Sequence, residues 1–444
     1  MRPGRLPIYS YALRAACRQP GRALAAWIVL LPVVQFAAQP ATAASPVVAH
    51  PSPALEEIIV TASLREQPLA AVPASITVLG QETLQSAGLQ HFGDVLGLVP
   101  NLNWSGGTSR PRFLQLRGIG ELEQYQGAPN PSVGFLIDDI DLSGVGMPAT
   151  LFDVQQVEVL RGPQGTRYGA NALAGLVKIK TRDAATTPDF HAEVTGAEND
   201  TWSAGLAGGG PIGSAGSAWR IAGQTFSSDG FQRNAYLGRD DTNGRDESTL
   251  RGKLRWELAP GWRANIAALY VDIDNGFDAF AVDNSRTTLA DKPGRDAQRT
   301  RGASADVAGK IGDYAVRSVS AYAWSDSVYS FDGDWGNDAY WGEFAPYDYF
   351  SSYARERSTL SQDFRVESNP GGIVDWVAGL YALRLNEDSQ QRDEFAGELL
   401  RPLLATSYAA TSIAAYGEAE WPLSNQLTLT AGMRVETRSA DYSD

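Results

Sequence analysis

The stretch Thr249 to Leu258, TLRGKLRWEL, alternates without a break: Leu250, Leu254, Trp256 and Leu258 fall on one side of an extended chain, and Arg251, Lys253, Arg255 and Glu257 on the other. Successive side chains of a strand point to opposite faces, so the segment has one apolar and one charged face. Residues 426–436, QLTLTAGMRVE, do the same, with Leu427, Leu429, Ala431, Met433 and Val435 opposite Gln426, Thr428, Thr430, Arg434 and Glu436. Residues 359–367 and 412–421 behave similarly. Soluble sandwiches alternate too, but strands of about ten residues exceed the usual five or six. Charge along a whole face suits a wet lumen backed by lipid. Residues 188–444 therefore read as a transmembrane antiparallel β-barrel, with about eleven strands present. Short turns are expected near Asn199-Asp200, Pro260-Gly261, Gly312-Asp313, Asn369–Gly372 and Ser424-Asn425, and long polar excursions over 228–246, 273–300, 326–356 and 386–410. Such a contrast is that of periplasmic and extracellular ends. Gly205 to Gly210 reads as a glycine-rich hairpin, because no Lys-Ser/Thr or helix follows to make a phosphate loop.

Upstream the pattern changes. Residues 74–187 read as a mixed α and β domain: strands at Ser75–Leu79, Val133–Ile137, Val157–Leu160 and Leu176–Lys180, and helices at Gln81–Ala87, ended by Gly88, and His91–Val99, stopped by Pro100. Residues 1–43 read as an export signal, with Arg2, Arg5, Arg14, Arg18 and Arg22 ahead of the apolar run 23–38 and small residues at Ala41-Thr42-Ala43. That run is shorter than the roughly 20 residues a spanning helix needs, and Pro32 interrupts it. Removing the signal takes five arginines from a net charge of −14, giving −14 − 5 = −19, and takes the single cysteine, Cys17. So acidic a chain lacks the basic face that nucleic-acid binding requires. Residues 44–73 form a Pro- and Ala-rich leader that carries a β-branched run, Leu55-Glu56-Glu57-Ile58-Ile59-Val60-Thr61-Ala62.

The run Leu151 to Arg182, LFDVQQVEVLRGPQGTRYGANALAGLVKIKTR, closely resembles the plug signature of TonB-dependent outer-membrane receptors. Pro73–Leu79, Val99–Leu102, Leu116–Gly120 and Val133–Asp139 also match, in the family's order. The resemblance implies an α+β plug inside a 22-stranded barrel. It marks Arg117, Gly118, Arg161, Gly162, Pro163, Gly165, Tyr168 and Gly169 as plug-signature residues, and implies that Arg117 and Arg161 pair with barrel carboxylates. It makes 55–62 a TonB box. An extended β-branched segment on a flexible leader can add as a strand to a partner's sheet edge and be pulled. One departure is Asp139, where the family usually has Gly in an Asp-Gly turn, so strain is expected in that hairpin.

The implied function is TonB-driven uptake of a scarce solute across the Gram-negative outer membrane, a ferric siderophore foremost. The implied partners are TonB with its energising complex, outer-membrane lipid and a small iron chelate, with no nucleic acid. A carbohydrate or cobalamin-like ligand, or a truncated non-transporting binding protein, is the alternative. A transcription-signalling receptor needs a further periplasmic domain, and only about a dozen residues separate the cleavage site from the box. No enzyme is expected, because no nucleophilic triad or paired-carboxylate set stands out, and no cofactor is implied. Trp335, Tyr340, Trp341 and Tyr347, in the aromatic and acidic stretch 322–353, are ligand-loop candidates; girdle and loop packing is the competing use of such rings. Lumen-facing Arg251, Lys253 and Arg255 favour an anionic ligand, whereas the acidic loop favours a neutral or cationic one. Asp272, Asp274 and Asp278 alternate as in calcium loops but lack the position-12 Glu, so no metal site is assigned. Eleven strands are half of such a barrel, and closure needs on the order of 450–550 residues. An open half leaves two unpaired edges at roughly several kcal/mol per unsatisfied group, so this stretch alone is not expected to transport.

Overall fold

The structure is a computed structural model and describes residues 58–62, 65–105, 108–122, 128–145, 150–164, 172–213, 216–424 and 426–444. The signal, leader residues 44–57 with Leu55, Glu56 and Glu57, and Gly165, Tyr168 and Gly169 lie outside the described residues.

In the plug, β1 (Ile59–Val60) pairs antiparallel with β2 (Gln67–Pro68). The main sheet is built from β3 (Ser75–Gly80), β7 (Val133–Ile137), β8 (Ile140–Asp141), β9 (Val154–Arg161) and β10 (Gly175–Thr181), in the order β3-β9-β10-β7-β8. Only the β10–β7 pairing is parallel. A second sheet joins β4 (Leu102–Ser105), β5 (Phe113–Leu116) and β6 (Ile119–Gly120). Helix α1 (Gln81–Ser86) is followed by Gly88 in the left-handed conformation, as expected. Helix α2 (Phe92–Val95) is shorter than expected and tightens to a 3₁₀ turn over Leu96–Leu98. Pro100 forces Val99 out of the helical region, so the last turn cannot continue as α. Leu84, Phe92 and Val95 pack on Phe135, Ile137, Val157, Val159, Val177 and Ile179, and this core runs on into Leu269, Val271 and Ile273 of the surrounding wall.

The wall is one sheet of long antiparallel strands: β11 (Asp189–Ala197), β12 (Thr201–Ile212), β13 (Ser217–Ser228), β15 (Arg245–Ala259), β16 (Trp262–Phe277), β18 (Gly294–Ile311), β19 (Tyr314–Asp332), β20 (Tyr349–Glu367), β21 (Asp375–Phe395), β23 (Leu404–Ser424) and β24 (Leu427–Ser443). Each pairs with its sequence neighbours, and β11 and β24 form the two edges of an open sheet. Short β22 (Glu398–Leu399) hooks onto β21, while β14 (Arg233–Asn234) and β17 (Thr287–Thr288) tie two loops together. Helix α3 (Asp338–Trp341) sits in the 333–348 loop.

The alternation at 249–258 holds in space: Leu250, Trp256 and Leu258 are exposed on the outer face while Arg251 is buried inward. On that outer face Tyr270, Arg301 and Trp324 are successive cross-strand neighbours, and Tyr314 and Trp376 pack together near the opposite end. Ten residues separate Tyr314 from Trp324 (324 − 314). At the usual rise and tilt that is an apolar band about 25 Å tall between two aromatic levels.

Three expectations need correction. Residues 386–410 are mostly strand, with only 396–403 looping, because β21 and β23 continue past the apolar band into water and become polar on both faces. Gly205 to Gly210 is not a hairpin but lies inside β12. A Cβ on Gly205 would stand 2.7 Å from the ring of plug residue Phe152, and one on Gly302 would stand 2.8 Å from Ile140, so bare backbone lets the plug lie against the wall. The Asn199-Asp200 turn belongs with the long loops, since Asp229 donates its backbone N–H to the Asn199 carbonyl at 3.0 Å.

Candidate functional site

Residues 58–62 are docked on the plug sheet. Glu158, on β9 and fully buried, accepts from the Thr61 backbone N–H at 3.0 Å, the Thr61 hydroxyl at 2.6 Å and the Ala62 N–H at 2.8 Å. Gln156 donates to the Ile59 carbonyl at 3.0 Å and to Glu158 at 2.6 Å. Lys178, the cross-strand partner of Glu158, donates to the Thr61 carbonyl at 3.4 Å. Ala62 packs with Leu136, Leu160 and Leu176. The segment thus uses its backbone groups on side chains of the plug. Only the two-residue pairing of Ile59 and Val60 with Gln67 and Pro68 is strand-like. A short segment held by a few bonds to one carboxylate can detach without unfolding the sheet beneath it.

The plug is fastened to the wall by charge. Arg110 bonds Asp296 at 2.8 Å and 3.2 Å and Gln298 at 3.1 Å, and Ser109 donates to Asp296 at 2.7 Å. Burial pulls the Arg110 pKa down, but the Asp296 carboxylate outweighs it and leaves the guanidinium above its ordinary value. Arg220 of β13 bonds Asp153 at 2.8 Å and also reaches Asp189. Lys253 meets Asp138 at 2.9 Å and Asp183 at 3.1 Å, and Arg251 donates to the Phe152 carbonyl. His91 Nε2 lies 2.9 Å from Glu247, which also accepts from Asn275. Arg251 and Lys253 therefore hold the plug rather than face a ligand, and Arg255 pairs with Glu257 at 3.3 Å.

At the loop end, Trp335 stacks on Phe280 at 5.2 Å. Phe280 meets Phe277 at 5.6 Å, Phe277 meets Tyr329 at 5.2 Å, and Tyr329 stacks with Tyr353 at 6.1 Å. Phe277 lies on the same side of β16 as Ile273, which packs on the plug, so this run of rings leads from the loop into the lumen. Tyr340, Trp341 and Tyr347 form a separate edge-to-face group, with the Trp341 indole donating to Asp334 at 3.2 Å. The alternating Asp272 and Asp274 lie in strand β16 and pair with Arg299 and Arg295, and no cation-binding group of carboxylates or histidines occurs among the described residues.

Residues 68–176 match the TonB-dependent Receptor Plug Domain, and the plug is followed by antiparallel wall strands. Residues 68–176 thus form a TonB-dependent receptor plug domain, and the chain as a whole is similar to receptors of that kind. It is 26% identical to the pesticin receptor of Yersinia pestis over 384 residues, which is 85% of this chain and 55% of that protein. It is 28% identical to a vitamin B12 transporter of Vibrio vulnificus over 255 residues, covering 52% of this chain and 38% of the other. Among solved structures it resembles a ferric yersiniabactin uptake receptor from Yersinia pestis with a TM-score of 0.69 at 21% identity, over 83% of this chain and 61% of that one. The receptor chain thus spans about half the length of the curated relatives it matches.

Of the signature residues, Gly118 and Gly162 take positive φ, of +78° and +109°. Arg161 stays within the plug, donating to Thr77 at 2.7 Å and to the Pro100 carbonyl at 3.1 Å, and Pro163 follows the end of β9. Arg117 is exposed and makes no ion pair among the described residues. Neither arginine meets a wall carboxylate there; that part is taken by Arg110. Glu158, Gln156 and Lys178 of the docking site, and Phe277 and Phe280 of the ring series, went unnoticed in the sequence. Glu158 carried one signal: a single carboxylate flanked by apolar residues within a strand, VEVL.

Proposed function

We propose that the receptor is the plug and part of the wall of an outer-membrane transporter that imports a ferric siderophore, driven by TonB acting on residues 55–62. The observation that carries this reading is the docking of 58–62 on Glu158, a short segment whose Ile58 and Ile59 are exposed and offer a periplasmic partner a start for strand addition. The apolar band, with exposed Leu360, Leu380 and Ile413, supports residence in the outer membrane after export. The siderophore class is supported by the names of relatives, a pesticin receptor and a ferric yersiniabactin uptake receptor. Trp335, exposed at the loop end of the ring series and backed by Phe280, offers stacking surface for an aromatic chelate. A cobalamin-like ligand is the second reading, favoured by the match to a vitamin B12 transporter. The domain limits proposed are 1–43 signal, 44–73 leader with the box, 74–187 plug and 188–444 wall.

The test is uptake of a panel of radiolabelled ferric siderophores and cobalamin by iron-starved cells expressing the full-length gene, with and without a functional tonB. TonB-dependent uptake of one ferric chelate supports the reading. Uptake of cobalamin alone moves it to the second, and uptake indifferent to TonB overturns both.

A further inference from the structure

The turn between β7 and β8 holds two consecutive non-glycine residues in the left-handed region, Asp138 at φ +48° and Asp139 at φ +69°. A two-residue hairpin turn of this kind favours glycine at its second position, because glycine enters it without strain. Strain kept at one residue invites the question of what its side chain does there. The Asp139 carboxylate accepts from Lys178 Nζ at 2.8 Å. Lys178 reaches the carbonyl of docked Thr61 at 3.4 Å and lies beside Glu158 across the β9–β10 ladder. One buried ammonium therefore stands among two carboxylates and a backbone carbonyl of the segment 58–62.

The turn is also tied to the wall. Asp138 accepts from the Thr181 N–H at 3.0 Å and pairs with Lys253 of β15, and Ser304 of β18 donates to the Asp138 carbonyl at 2.7 Å. Asp139, Leu136 and Leu176 line a cavity closed on the other side by Asp363, Arg365 and Tyr381 of the wall. Leu136 and Leu176 are the residues on which Ala62 packs.

We propose that Asp139 is a positioning residue: with Lys178 it forms a charged strut between the wall-bound β7–β8 turn and the docked 58–62 segment, and it sets how readily that segment leaves Glu158. While Asp139 holds the ammonium, the Glu158 oxygens are left to Gln156, the Thr61 hydroxyl and the Thr61 and Ala62 N–H groups. Without Asp139 the ammonium turns to Glu158 and competes with those N–H groups for the same oxygens. The inference rests on the reading of 58–62 as the coupling segment, but its test uses neither ligand nor partner, so it fails or stands apart from uptake.

The experiment is electron paramagnetic resonance of the full-length gene product in outer-membrane vesicles, nitroxide-labelled at Ile58→Cys. Asp139→Gly and Asp139→Asn are each expected to raise the ratio of mobile to docked label roughly tenfold, the effect of losing one charge-assisted bond. In a Lys178→Met background the same substitutions should change nothing further. A purely conformational role makes the opposite forecast: Asp139→Gly relieves the backbone, raises Tm and leaves the label docked. That result, or equal effects of Asp139→Gly with and without Lys178, overturns the proposal.

Discussion

Arg110 and Asp296 are both almost fully buried and bond each other twice, so removing one partner strands the other. Arg110→Ala is expected to destabilise plug seating by about 3–5 kcal/mol, whereas Arg110→Met with Asp296→Leu should recover most of it. Urea titration of plug release, read by protease access, measures both. Asp183 gives a pH-dependent counterpart. Partial desolvation pushes the carboxyl of this half-exposed residue up, but Lys253 and Lys180 together outweigh it and hold it below the ordinary carboxylate value. A depressed folded-state pKa contributes stability that is complete above the unfolded value and is lost as pH falls through the folded one. The Asp183 contribution to plug seating should therefore be lost only below about pH 4, and Asp183→Asn should remove that share of the acid limb in a pH series of the same titration. These contacts were only partly readable beforehand. Arg251 and Lys253 were legible as inward-facing, yet their partners, the Phe152 carbonyl and Asp138, lie about a hundred residues away in sequence, and nothing in local pattern pairs them. Arg110 sits in an irregular segment between β4 and β5 with no periodicity to mark it.

The strands were the most legible elements, because an apolar face against lipid and a charged face against the plug impose strict alternation. Leu380, 61% exposed on the outer face midway between the two aromatic levels, belongs to that alternation. Leu380→Arg is expected to cost about 2–4 kcal/mol in folding into lipid vesicles, while Asp388→Lys, on the same face beyond the Trp324 level, should cost about 0–1 kcal/mol. Equal costs at the two positions would contradict the placement of the band. Legibility failed where strands leave lipid. Asn386 to Asp393 is uniformly polar and reads as loop, yet each residue pairs with β20 and the strand runs on to Phe395. Glycines misled in the same way: Gly205 to Gly210 suggests a turn by composition but is strand, with Gly205 bare where Phe152 lies against the wall.

Across the whole molecule, the plug core and the wall are continuous through Leu269, Val271 and Ile273, while charged pairs surround that apolar seam. Such a body can stay seated while one segment moves, provided that segment is held by local contacts. The 58–62 segment meets that condition: its hold is centred on Glu158, and its pairing with β2 is two residues long. The order of plug and wall was legible from the sequence, because motif order and composition mark it. The docking of 58–62 was not, since a flexible leader and a docked segment have the same composition. The most direct measurement is uptake and cell-surface binding of the ferric ligand by cells carrying the full-length gene with residues 57–61 deleted. Binding retained with uptake abolished is the predicted result; uptake at the undeleted rate would contradict the assignment of this segment as the point of coupling.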